Sequence, residues 1–102
     1  MQKYITKQEV QQLQNENRVV RLIDIRTVAE HEKQHIPGAV NIPADQLPEK
    51  LDVLKKDDMI VCICNYGKER SQQAAELLQN AGFENTFYLE GGTAGWCDED
   101  KA

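Results

Sequence analysis

Four short runs of apolar residues stand out along the chain, and each is rich in β-branched or aromatic side chains. Such runs, bounded by polar or turn-forming residues, are typical of β-strands. They cover 19–24, 40–42, 59–64 and 86–89. The run at 59–64 is apolar at every position rather than at alternate ones, which predicts a parallel strand buried on both faces.

Between these runs, apolar residues recur at the spacing of a helix face. Ala74, Leu77, Leu78 and Ala81 predict one helix, and Gly82 predicts its end. Further helices are predicted over 6–15, 27–34 and 46–55, with a turn at 36–39 and a short turn or helix after 91–92 that reaches Trp96. Strands and helices therefore alternate, which predicts an α/β fold with a mainly parallel sheet.

Length and charge narrow the classes of partner. The chain has 102 residues, a length typical of one domain. Seventeen acidic residues against twelve basic ones give a net charge of −5, which argues against nucleic acid and anionic membranes as partners. No apolar run is long enough to cross a membrane, and the first ten residues lack the apolar stretch of a secretory signal.

The three cysteines do not form the pattern of a disulfide framework or a metal site. Their number is odd, and Cys62 and Cys64 are separated by one residue, so we expect reduced thiols and a cytoplasmic location. This C-x-C spacing is not that of zinc ligands, and no metal is predicted. Cys62 is expected to be a small core residue, and Cys97 a surface thiol.

The segment 64–71, with the sequence CNYGKERS, carries the candidate chemistry. It follows a buried strand and precedes a helix, so it lies at the sheet edge where ligands bind in open α/β folds. Its backbone N–H groups can converge on one point, and Gly67 permits the tight curl. These donors, with Lys68 and Arg70, favour the thiolate of Cys64, and cysteine pKa values in such settings are about 3.5–7.5. The pattern predicts a nucleophile inside an anion-binding loop, with the last core residue of a strand as the alternative for Cys64.

Several motifs, taken in order, resemble those of single-domain rhodanese-like proteins. The Cys64 loop and the helix after it look like the active-site loop and helix of that family. Upstream, the N-terminal pattern of the family is matched by LIDIR at 22–26, Glu30 and HIPGAVNIP at 35–43. Downstream, its C-terminal pattern is matched by AGFEN at 81–85, LEGG at 89–92 and Trp96. The similarity covers most of the chain, and the ordered set is highly specific.

The resemblance implies a fold and an activity. The fold is a five-stranded, mainly parallel sheet flanked by helices on both faces. The activity is sulfur transfer, in which Cys64 takes a sulfane sulfur from a small anionic donor such as thiosulfate, holds it as a persulfide, and passes it to cyanide, a thiol or a protein. No cofactor beyond this covalent persulfide is implied. The residues that would surround the substrate are Asn65, Tyr66, Gly67, Lys68, Glu69, Arg70 and Ser71.

The spacing between Cys64 and Arg70 departs from the family. Rhodanese loops usually place four residues between the cysteine and the arginine, whereas this chain has five. The longer spacing, with Glu69 directly before the arginine, resembles cell-cycle phosphatases and arsenate reductases, whose wider loop holds a tetrahedral oxyanion. Ile63 stands where those phosphatases usually carry histidine, which favours sulfur transfer. A phosphatase or arsenate reductase, and a non-catalytic rhodanese-like interaction module, are the alternatives.

The charged and hydroxyl side chains of the loop each have a functional and a structural interpretation. Arg70 is expected to bind the anionic end of the substrate, or else to pair with Glu69 or another surface acid. Lys68 faces either substrate or solvent, and Glu69 is expected to be solvated. Ser71 is expected to hydrogen-bond loop amides at the helix entry, with a bond to the persulfide as the alternative.

Supporting residues are expected at the end of a neighbouring strand. Asp24 and Arg26 are expected to form a structural ion pair or a loop hydrogen bond rather than to react. His35 is expected to order the turn that follows it, and His31 is expected to be solvated on a helix face.

Overall fold

Five parallel strands form a single sheet in the computed structural model, which describes residues 3–101 and the side chains of residues 3–97. The order across the sheet is β1-β5-β4-β2-β3. The strands are β1 (Tyr4–Ile5), β2 (Val20–Asp24), β3 (Val40–Asn41), β4 (Met59–Ile63) and β5 (Thr86–Leu89). The predicted α/β class and the mainly parallel five-stranded sheet are confirmed.

Helices cover both faces of the sheet. They are α1 (Lys7–Asn15), α2 (Val28–Lys33), α3 (Glu69–Asn80) and α4 (Gly92–Lys101), together with a 3-10 helix at Ala44–Val53. Alternate residues of β4 point to opposite faces. Ile60 and Cys62 pack in one core cluster with residues of α3 and the 3-10 helix, whereas Val61 and Ile63 pack in a second cluster with residues of α1 and α4.

Local sequence explains where most helices begin and end. Thr6 caps α1 and Thr27 caps α2, and each accepts from the backbone of a glutamate three residues later, whose carboxylate accepts from the threonine in return. Gly82, with φ +99°, follows the end of α3 as predicted. α4 continues beyond Trp96, so it is longer than the predicted short turn or helix.

Two sequence predictions need correction. The helix expected over 46–55 is a 3-10 helix that begins at Ala44 and contains Pro48. Proline has no N–H to donate and its ring crowds the preceding turn, so a regular α-helix is disfavoured, and the segment has a non-helical residue at Lys50. The two-residue strand β1 was not predicted. It pairs with β5 through Tyr4 and Ile5.

The parallel arrangement brings three chain segments to one edge of the sheet. β2 and β5 lie on either side of β4. Asp24 ends β2, Cys64 follows the end of β4, and Gly91 follows the end of β5. Because parallel strands all end on the same side, these residues meet at the carboxyl edge, which is where ligands bind in folds of this kind.

Candidate active site

Cys64 lies at the start of the loop between β4 and α3, with its sulfur enclosed by polar groups. The residue is only 3% exposed. The backbone N–H of Gly67 donates to Sγ at 3.2 Å, and the Cys64 thiol donates to the Ser71 hydroxyl at 3.1 Å. The same hydroxyl donates to the Lys68 carbonyl at 3.1 Å, so it bonds a loop carbonyl rather than the loop amides that we expected. When Cys64 ionises, the serine hydroxyl can rotate to donate to the sulfur instead.

This environment makes Cys64 more acidic than an ordinary cysteine. Burial opposes ionisation, but hydrogen bonds from the Ser71 side chain and from the backbone of Lys68, Ser71 and Tyr66 outweigh it, so the pKa of Cys64 is lowered. Cys62, two residues earlier, has the opposite shift: burial, followed by the charge of Cys64, raises its pKa to about 12. Cys62 is a fully buried core residue, as predicted.

The first turn of α4 holds the start of the loop. The backbone N–H of Thr93 donates to the carbonyl of Cys64, and the N–H of Ala94 donates to the carbonyl of Asn65, both at 2.9 Å. The backbones of these two segments approach so closely that a Cβ added to Gly92 would lie 2.5 Å from the Cys64 carbonyl oxygen. A Cβ added to Gly67 would lie 2.7 Å from the backbone nitrogen of Gly91. Glycine at both positions is therefore required for this contact.

Cys64 is reached through an open cleft of about 380 Å³. The lining residues are Cys64, Asn65, Tyr66, Lys68, Glu69 and Arg70. Tyr66 is 66% exposed and stands at the outer side of the loop. A second cleft, of about 300 Å³, is lined by Arg26 and by Asn65 and Tyr66, and the last two residues also line the Cys64 cleft. A larger, mainly apolar groove of about 470 Å³ between α1 and the sheet has no cysteine in its lining, so the smaller cleft beside Cys64 is the candidate site.

Asp24 and Arg26 form the structural ion pair that we expected beside the loop. Both are buried, with a distance of 2.8 Å between the Arg26 guanidinium and an Asp24 carboxylate oxygen. Burial opposes the charge of Asp24, but hydrogen bonds from Arg26 and His31 lower its pKa. Arg26 also donates to the side-chain oxygen of Asn65 at 3.0 Å, so the pair is connected to the loop.

The prediction for His31 is wrong. Its Nδ1 lies 2.8 Å from an Asp24 oxygen, and its side chain is 17% exposed. The ring stacks on that of His35 with 4.0 Å between centroids. The polar composition of 27–34 indicated solvent on all sides, but the buried carboxylate at the end of β2 attracts the imidazole. His35 hydrogen-bonds the His31 carbonyl through Nδ1, at 2.8 Å, just before the turn.

Arg70 is held by Glu30, an acid from a distant part of the chain. The guanidinium donates to the two carboxylate oxygens at 3.0 and 3.4 Å. Asn65 donates to the same carboxylate at 2.9 Å. The hydrogen bond to Glu30 raises the pKa of Arg70, and the charge of Cys64 adds to this effect. The alternative interpretation of Arg70, a pair with a surface acid, therefore describes this structure, and that acid is Glu30 rather than Glu69.

The exposed position of Glu69 agrees with the prediction, whereas Cys97, which we expected to be a surface thiol, is half-buried. Lys68 precedes α3 and Glu69 begins it, and both are exposed on the cleft wall. Cys97 is half-buried on α4.

Among the described residues, no group of three or more His, Cys, Asp or Glu side chains is arranged to hold a metal ion. Within the same part of the chain, no helix has the length and apolar character needed to cross a membrane.

A family model described as the rhodanese-like domain matches residues 6–99. The chain belongs to the rhodanese-like family. It is 40% identical over 80 residues to the putative sulfurtransferase YtwF of Bacillus subtilis (strain 168), covering 78% of this chain and 76% of that protein. A rhodanese-like domain protein from Staphylococcus aureus has a TM-score of 0.84 and 32% identity over 92% of this chain and 90% of that one.

A longer relative places the same domain within a larger protein. The chain is 32% identical over 80 residues to the putative sulfur carrier protein YrkF of Bacillus subtilis (strain 168). The match covers 78% of this chain but 43% of that protein. This rhodanese-like chain therefore spans less than half the length of that relative.

Two parts of this rhodanese-like site were not predicted as functional. Glu30 was noted only within a family motif, although its place at the third position of a capped helix gave a reason for its orientation. The amides of Thr93 and Ala94 were missed because backbone donors leave no mark in side-chain chemistry. The adjacent Gly91 and Gly92 were the available sign that two backbones approach closely at this point.

The contact between α4 and the loop predicts that Gly92→Ala slows the reaction of Cys64 with iodoacetamide several-fold at pH 7. The added Cβ must displace the Cys64 carbonyl and with it the donors around the sulfur. Gly38→Ala is the matched control, because Gly38 also has a positive φ but no atom lies within 4 Å of an added Cβ. Labelling is measured on the Cys64 peptide by mass spectrometry. Equal rates in the two variants would contradict the proposed support by α4.

The hydrogen bonds to Sγ predict the pH dependence of labelling. The rate for Cys64 plotted against pH is expected to have its inflection below about 8.5, the ordinary cysteine value. Ser71→Ala removes a donor to the thiolate and is expected to move the inflection upward. Thr86→Val removes a comparable buried hydroxyl, bonded to the Phe83 carbonyl outside the site, and is expected to leave the inflection unchanged. An unreactive Cys64 in the wild type would favour the non-catalytic interaction module.

Proposed function

We propose that this rhodanese-like chain is a sulfurtransferase with Cys64 as its sulfur carrier. The observation that carries the proposal is the environment of the Cys64 sulfur. The sulfur accepts a hydrogen bond from the Gly67 amide at 3.2 Å, and the pKa of the thiol is lowered. Cys64 also lines a cleft that has Lys68 and Arg70 on its wall. Sulfane-sulfur donors are anions, so their reaction with a thiolate requires donors and cations around both partners. The naming of YtwF as a putative sulfurtransferase supports the same class of reaction.

The proposed reaction has two displacements. The Cys64 thiolate attacks the outer sulfur of thiosulfate, a new S–S bond forms, and the S–S bond of thiosulfate breaks as sulfite leaves with its electron pair. An acceptor thiolate or cyanide then attacks the terminal sulfur of the persulfide, which regenerates the Cys64 thiolate. The Gly67 amide and the Ser71 hydroxyl contact Sγ of the free cysteine, and we expect them to stabilise the charge of the persulfide formed on it.

The acceptor is proposed to be a thiol or a protein, with cyanide as a test acceptor. The open cleft beside the exposed Tyr66 leaves room for a large acceptor to approach Cys64. The name of YrkF, a putative sulfur carrier protein, favours a protein acceptor or donor. The cycle uses no cofactor other than the persulfide, and it requires a compartment in which Cys64 stays reduced, such as the cytoplasm.

Thiosulfate treatment is expected to add one sulfur atom to the peptide that contains Cys64, and cyanide is expected to remove it as thiocyanate. Cys64→Ser should abolish both the mass gain and thiocyanate formation, because the hydroxyl cannot form the persulfide. Cys97→Ser is the control and should retain both, since Cys97 does not line the Cys64 cleft. Thiocyanate formation at the wild-type rate in Cys64→Ser would exclude Cys64 as the carrier.

The five residues between Cys64 and Arg70 favour a second candidate, a phosphatase or arsenate reductase. That chemistry uses the loop arginine to bind a tetrahedral oxyanion. In this chain the arginine is engaged by Glu30, so we expect aryl phosphate hydrolysis and arsenate reduction to be much slower than sulfur transfer. Assays of both substrates with wild type and Cys64→Ser test this expectation. Turnover that exceeds sulfur transfer and is lost in Cys64→Ser would promote the second candidate.

A further inference from the structure

The carboxylate of Glu30 holds Arg70, which lines the Cys64 cleft. Its two oxygens accept the Arg70 guanidinium at 3.0 and 3.4 Å, and Asn65 adds a third bond at 2.9 Å. The backbone and hydroxyl of Thr27 also donate to it, at 3.0 and 3.1 Å. These bonds, led by the one from Arg70, keep the pKa of Glu30 far below its usual value, so the carboxylate is charged at any physiological pH.

Glu30 therefore reduces the positive charge available to a substrate. The cleft is lined by two cations, Lys68 and Arg70, and by one acid, Glu69. Glu30 adds a second acid in direct contact with Arg70, and the Cys64 thiolate adds a further negative charge. Glu30 lines the neighbouring cleft, and its carboxylate lies 3.0 Å from the Arg70 guanidinium, well inside the distance over which salt screens charges. Because Glu30 offsets the charge of Arg70, it weakens the attraction of the site for each negative charge on a donor.

We propose that Glu30 is a specificity-determining residue that favours singly charged organic sulfane-sulfur donors over doubly charged thiosulfate. The inference rests on the proposed sulfur transfer at Cys64 and names the class of donor for that site. Both the attraction to Lys68 and the repulsion from Glu30 and the thiolate grow with the charge of the donor, so the second charge of thiosulfate gains little while Glu30 occupies Arg70. A donor with two charges would need Arg70 to be free.

Thiosulfate and methanethiosulfonate form a matched pair of donors for this question. The second is thiosulfate with one charged oxygen replaced by a methyl group, so the shape is retained and one charge is removed. In both cases the Cys64 thiolate attacks the outer sulfur and forms the persulfide S–S bond. The donor S–S bond breaks, and sulfite or methanesulfinate leaves with the electron pair. The transferred sulfur atom is a sulfane sulfur in the donor and in the persulfide alike, so the transfer requires no external oxidant or reductant.

The chain also provides a matched control for the substitution. Glu9 occupies in α1 the position that Glu30 occupies in α2, as the third residue of a helix capped by threonine. Its bonds to Thr6 have nearly the same lengths as those of Glu30 to Thr27. Glutamine can serve in either capping box. Glu9→Gln and Glu30→Gln therefore change the net charge equally and keep the caps, but only the second releases Arg70.

The first measurement is kcat/KM for both donors in wild type, Glu30→Gln and Glu9→Gln. The ratio of the thiosulfate value to the methanethiosulfonate value is expected to rise about three- to fivefold in Glu30→Gln, a size typical of a partly exposed ion pair, and to stay at the wild-type level in Glu9→Gln. In an Arg70→Gln background, Glu30→Gln should no longer change the ratio. An unchanged ratio, a lowered ratio, or equal rises in both glutamine variants would overturn the proposal.

A binding measurement separates this inference from the proposed function. Sulfate and methanesulfonate differ by the same single charge but cannot transfer sulfur, and each can protect Cys64 from iodoacetamide. In Glu30→Gln, sulfate is expected to protect at a several-fold lower concentration, with little change for methanesulfonate. This shift can occur even if no donor forms a persulfide, in which case the proposed function fails alone. If sulfate protection is the same in wild type and Glu30→Gln, the role of Glu30 is excluded whatever the sulfur-transfer assays show.

Discussion

The carbonyl oxygens of Cys64 and Asn65 accept hydrogen bonds from the amides of Thr93 and Ala94 in the first turn of α4, and the orientation of the active-site loop depends on this contact. A carbonyl that points towards α4 leaves the following N–H groups free to turn towards the sulfur. Gly92 permits the approach because any Cβ there would collide with the Cys64 carbonyl. The end of β5 and the start of α4 therefore determine the chemistry of a cysteine that is distant from them in sequence.

The two cysteines of the C-x-C segment show how strongly local geometry decides reactivity. Cys62 and Cys64 belong to the same core cluster and are both almost fully buried. Burial alone disfavours a thiolate, and for Cys62 it raises the pKa to about 12. For Cys64 the hydrogen bonds of the loop reverse the direction of the shift. The difference arises because Cys64 follows the end of the strand, where donors of the loop reach its sulfur, whereas Cys62 lies within the strand.

Patterns along the sequence were sufficient for the fold class, most strands and the place of Cys64 at the end of a buried strand, because each depends on neighbouring residues. The continuous apolar run of β4 and the polar, glycine-containing loop after it are local features. Contacts between distant segments were beyond such patterns. His31 on α2 contacts Asp24 at the end of β2, seven residues earlier. Arg70 contacts Glu30, which lies forty residues earlier. Pro48 was visible in the sequence, but the helical spacing of the leucines around it outweighed it in the prediction.

The number of residues between the cysteine and the arginine is therefore an incomplete guide to the substrate of such loops. Spacing limits how wide a ring the backbone can form, but the charge inside that ring depends on where the arginine is directed. Here a capping glutamate of α2, fixed by Thr27, supplies a competing carboxylate for Arg70. A loop with the length found in phosphatases can in this way lose the free cation that a doubly charged oxyanion requires. The charge that the cleft presents therefore depends on the contact between α2 and α3 as well as on the loop sequence.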